Sequence, residues 1–104
     1  MGNMIPISYF VQIQNPDTGF WGLVDDSEVR VGPSPEEIIS VTLGVGKWEK
    51  VPSLVKKIAA ARTKVVQTAR RCLPFAKILE RRQGRNNDTY DHVVWKNGEW
   101  TDNA

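Results

Sequence analysis

The sequence is short of the residues from which metal centres and disulfides are built. Cys72 is the only cysteine and His92 the only histidine among 104 residues. That excludes an intramolecular disulfide framework, zinc sites built on two thiolates and two-histidine metal clusters. Long apolar runs are missing too: none approaches the ~18 residues of a membrane span. The N-terminus lacks the charged start and apolar stretch of a secretory leader, so the expectation is an intracellular, cytoplasmic protein with no cofactor and no membrane partner. With only 8 glycines and 6 prolines, a collagen-like or low-complexity chain is excluded. Apolar residues at 40% and charged residues at 25% are the mix of an ordinary globular chain, and the length suits one domain over residues 1–104.

What is present alternates first and then turns helical. In Ile7–Gln14, Tyr9, Val11 and Ile13 fall on one face of a strand, with Ser8, Gln12 and Gln14 on the other, and Phe10 the exception. Asn15-Pro16-Asp17-Thr18-Gly19 supplies a reversal, Phe20–Val24 a second strand, and Ser27–Val31 a short third one. Ser34, Pro35 and Glu37 form a capping-box signature, which starts a helix expected to end at Gly44. After a loop carrying Trp48, Ser53 is placed to cap a main helix over Leu54–Leu73. There Leu54, Ile58, Ala61, Val65, Ala69 and Cys72 form one apolar stripe, and Lys56, Lys57, Lys64, Arg70 and Arg71 lie on the opposite arc. Pro74 should stop it. A further helix is expected over Phe75–Gln83, with Phe75, Ile78 and Leu79 inward. Asn97-Gly98 then marks a type I′ turn between Val93–Trp95 and Glu99–Thr101. The fold class predicted is α+β: an N-terminal antiparallel hairpin, central amphipathic helices and a C-terminal hairpin.

Charge is divided along the chain. Leu54–Arg85 holds ten basic residues and one acid, Glu80, and so carries +9, while the remainder holds four basic residues and eleven acids and carries −7. Such a division speaks to partners rather than to fold.

Catalytic constellations are few. His92 beside Asp91 could be oriented for base work, but no nucleophile accompanies it. Cys72, on the apolar stripe, has the placement of a small core residue. Asp25-Asp26 has the composition of a turn and Glu36-Glu37 that of a helix start. Gly44-Val45-Gly46-Lys47 lacks the spacer and the Ser or Thr of a phosphate loop. Met1-Gly2 is followed by Pro6 where myristoylation requires Ser or Thr. Pro35–Val45 resembles the first helix and turn of a helix-turn-helix, but Pro52 falls where a recognition helix should continue.

The expectation is therefore a non-enzymatic regulatory domain binding DNA or RNA. Its phosphate contacts would be Lys56, Lys57, Lys64, Arg70, Arg71, Arg81, Arg82 and Arg85. Trp48, between Lys47 and Lys50, is the aromatic placed for contact, and otherwise anchors its loop. The competing expectation is an inhibitor or adaptor that holds an acidic protein partner with exposed tryptophans and a charged face. The division of charge also permits a homodimer.

Overall fold

The first apolar run forms β1 (Ile5–Gln14), two residues longer at its start than the alternation predicts. The computed structural model describes residues 4–72 and 74–101, and of Arg85 the backbone alone. Pro6 is tolerated in β1 because the register shifts between Pro6 and Ser8, a bulge that spares it a ladder hydrogen bond. The predicted reversal follows, with Asn15 Oδ1 accepting from the Asp17 and Thr18 amides at 2.8 and 3.3 Å. β2 (Trp21–Leu23) and β3 (Val29–Arg30) then pair antiparallel with the two halves of one β1 edge. Between them the buried Ser27 hydroxyl accepts from Val11 N–H at 3.1 Å and faces the Val11 carbonyl at 3.4 Å, standing in for a ladder residue.

The capping box is present as predicted, and α1 (Pro35–Ile39) begins at Ser34. It does not continue as an α-helix to Leu43. Ser40–Val45 widens into π-helical turns that end at Gly46, at φ 75°, rather than at Gly44. Ile38, Ile39, Val41 and Thr42 are β-branched and crowd an α-helical turn, and the Thr42 hydroxyl donates to the Ile38 carbonyl at 2.9 Å. A 3₁₀ turn at Trp48–Lys50 leads into α2 (Pro52–Arg71). Val51, not Ser53, occupies the N-cap, because Pro52 suits the first helical position and starts the helix earlier. The expected end at Leu73 lies outside the described residues.

The predicted helix at Phe75–Gln83 is a strand, β4 (Ala76–Gln83). Phe75 is exposed and Leu79 only half-buried, whereas Ala76, Ile78 and Glu80 alternate as buried residues. β4 lies between β1 and β5 (Thr89–Lys96), and β6 (Glu99–Trp100) closes the order β2-β1-β4-β5-β6, all antiparallel. Asn97 and Gly98, at φ 55° and 84°, make the predicted type I′ turn. The molecule is thus an antiparallel sheet of six strands with helices, the α+β class expected, with a hairpin at each end.

α2 lays Leu54, Ile58, Ala61, Val65 and Ala69 into a core shared with Tyr9, Val11, Ile78 and Trp95 of the sheet. On the opposite sheet face, cross-strand rows run Phe10–Leu79–Val93 and Gln12–Lys77–Lys96. No helix among the described residues is long and apolar enough to cross a membrane.

Candidate functional site

Of the eight cations expected to act together, the seven whose side chains are described separate into two groups. Lys56, Lys64, Arg70 and Arg71 are exposed on α2, and none makes an ion pair among the described residues. At 100° per residue they share one arc of the helix with Thr63 and Gln67. From Lys56 to Arg71 the arc spans about 22 Å along the axis. Three others are matched to carboxylates within the chain. Lys57 Nζ lies 2.8 Å from Glu37 Oε1, Arg81 binds both oxygens of Asp91 at 2.9 and 3.2 Å, and Arg82 donates to Glu80. The side chain of Arg85 lies outside the description. The arginines expected to continue the helical surface, Arg81 and Arg82, stand on opposite faces of β4 instead.

Glu80 organises the region below α2. Its side chain is fully buried, and it accepts hydrogen bonds from the Tyr9 hydroxyl at 2.5 Å, from Arg62 at 2.8 Å and from Arg82. Arg62 Nε also donates to the Tyr9 oxygen at 3.0 Å, and its guanidinium packs 4.7 Å from the Trp100 ring centroid. Burial, followed by the Glu80 carboxylate, pushes the Tyr9 hydroxyl far above the usual phenol range, so it stays a protonated donor.

Above this cluster lies a groove of about 680 Å³. One flank of α2 supplies Val55, Ile58, Ala59, Arg62, Thr63 and Val66, the 3₁₀ turn supplies Trp48 and Glu49, and the sheet supplies Arg82 and Trp100. Trp48 therefore both anchors its loop against the core and faces the groove. Trp100 was not singled out as a binding residue in the sequence. Its place beside Arg62 depends on the β4–β5–β6 pairing, which local pattern does not carry.

Other sequence candidates are placed plainly. Asp91 is engaged by Arg81, while the neighbouring His92 is exposed on β5 and faces the opposite side, so Asp91 does not orient it. Cys72 is half-buried at the end of α2, packed against the core. Asp25-Asp26 is a turn, with Asp26 at φ 59°. None of the four tryptophans is exposed: Trp95 is fully buried, and Trp21, Trp48 and Trp100 are half-buried. Lys77 sits 4.0 Å over the Trp21 ring. Burial and the facing Lys96 lower its pKa. Among the described residues no group of three or more His, Cys, Asp or Glu side chains is placed to hold a metal ion.

Comparison of the chain with protein-family models, with curated proteins and with solved structures finds no match in any of the three.

Proposed function

We propose that this chain is a non-enzymatic regulatory domain that binds nucleic acid through the basic face of α2. One observation carries the reading: Lys56, Lys64, Arg70 and Arg71 stand exposed on one arc with no carboxylate partner among the described residues, while Lys57, Arg81 and Arg82 are each matched internally. Three of the expected contacts are thus neutralised within the chain, and four stand together on one arc of α2. Cations in that arrangement gain affinity for a polyanion by releasing its condensed counterions. They hold a phosphate backbone in place without reading its sequence.

The test is fluorescence anisotropy with labelled oligonucleotides between about 50 and 200 mM salt. Four phosphate contacts predict a log–log slope near −3 on a single strand, or about a 50-fold loss across that range. Changing Arg70 and Arg71 together to Glu should reduce both affinity and slope. Unchanged binding in that variant would remove the site from α2.

A protein-binding inhibitor or adaptor is the second reading. Its tryptophans are half-buried or buried rather than exposed, and Leu43 at 83% exposure and Phe20 at 77% offer apolar anchors. Binding centred on those residues would change little with salt.

A further inference from the structure

We infer that the groove beside the basic face receives an unpaired base, so that the polyanion bound by α2 is single-stranded. The inference rests on the nucleic-acid reading and adds to it the state of the strand. The groove and the four cations are adjacent surfaces of the same helix. Lys56 precedes the groove-lining Ala59 by three residues, and Arg70 follows the groove-lining Val66 by four, the spacings at which helical side chains are neighbours. A backbone lying along Lys56 and Arg70 therefore runs beside the groove.

The lining suits a base. Val55, Ile58 and Val66 are apolar. Trp48 and Trp100 supply indoles on which a ring can stack. Glu49 also faces the groove, from the side of the 3₁₀ turn. The volume, about 680 Å³, lies in the range of ligand pockets. Bases in a duplex are stacked and paired away from such a groove, so double-stranded nucleic acid can use only the cations.

The experiment compares four probes on the intact chain at about 50 mM salt: single-stranded DNA, single-stranded RNA, a DNA duplex and inorganic polyphosphate. Single strands should bind at least about tenfold more tightly than the duplex and quench tryptophan fluorescence, as expected for base–aromatic stacking. The variant Ala59→Trp fills the groove from an exposed helical position, where Trp100→Ala would disturb the core. With its circular dichroism unchanged, it should lose about tenfold in single-strand affinity and keep polyphosphate affinity within about twofold. Equal binding of duplex and single strand, or a variant that binds single strands normally, overturns the base pocket and leaves the basic face standing. Equal loss of single-strand and polyphosphate binding also overturns it, because the groove would then act through charge alone. Failure of all four probes to bind overturns the nucleic-acid reading together with this one.

Discussion

Two carboxylates in β4 and β5 show how differently one charge can act in the same sheet. Glu80 is fully buried and holds three donors, whereas Asp91 and its partner Arg81 are each more than a third exposed. Removing Glu80 leaves the nearly buried Arg62 guanidinium with a lost partner and the Tyr9 hydroxyl with no carboxylate. Breaking a buried pair in this way costs about 3–5 kcal/mol, while an exposed pair contributes about 1 kcal/mol or less. Urea denaturation should therefore show Glu80→Ala destabilised several-fold more than Asp91→Ala. Similar losses for the two variants would mean that solvent reaches the Glu80 cluster. This residue was legible only as the one acid in a basic segment. Nothing local marks a carboxylate as buried, because its partners come from β1 and α2, Tyr9 and Arg62, far away in sequence.

At the scale of elements, Glu37 ties α1 to α2. Its Oε1 accepts from the Ser34 amide and from Lys57, both at 2.8 Å, and its Oε2 accepts from the Ser53 hydroxyl at 2.5 Å. The Lys57 ammonium, then the Ser53 hydroxyl and the Ser34 amide, pull the Glu37 carboxyl down to about 2 from an ordinary 4.5. The folded chain therefore holds Glu37 ionised at pH values where the unfolded chain protonates it. The stability this contributes is complete above about pH 4.5 and is lost as pH falls toward 2. Lys57 is partly exposed, so the contribution is on the order of 1–2 kcal/mol after screening. Urea midpoints of the wild type and Glu37→Gln should differ most above pH 4.5 and converge toward pH 2. A gap independent of pH would sink the assignment. The closing turn makes a second demand: Gly98 sits at φ 84°, so Gly98→Ala should cost about 1 kcal/mol in the same assay. Both features were readable beforehand, since a capping box and an Asn-Gly turn are local chemistry. β4 was not, because Ala, Lys, Leu, Glu, Arg and Gln in AKILERRQ are all good helix formers. Its strand pattern is disguised by Glu80 in a buried position, and pairing with β1 and β5 overrides the propensity.

Across the whole molecule, the same misreading explains which part of the site could be foreseen. The cationic arc of α2 follows from helical spacing alone, so Lys56, Lys64, Arg70 and Arg71 were found together. The groove was invisible, because Arg82 and Trp100 reach it only once β4 lies between β1 and β5. β4 also joins the N-terminal and C-terminal strands, pairing with β1 from Ile5–Gln83 through Ile13–Ala76 and with β5 on its other edge. An isolated two-stranded hairpin is marginal in water, and neither terminal hairpin has a second layer of its own. The apolar stripe of α2 packs on β1 and β4 together, so a chain ending before Ala76 would leave half of that stripe facing water. It would also expose the β1 edge and strand Tyr9 and Arg62 without Glu80. A fragment of residues 1–75 should therefore give no cooperative urea transition, and α2 should lose most of its circular dichroism signal. A cooperative transition in that fragment would show that α2 and the N-terminal strands hold a core without β4, and the basic face would then be separable from the groove.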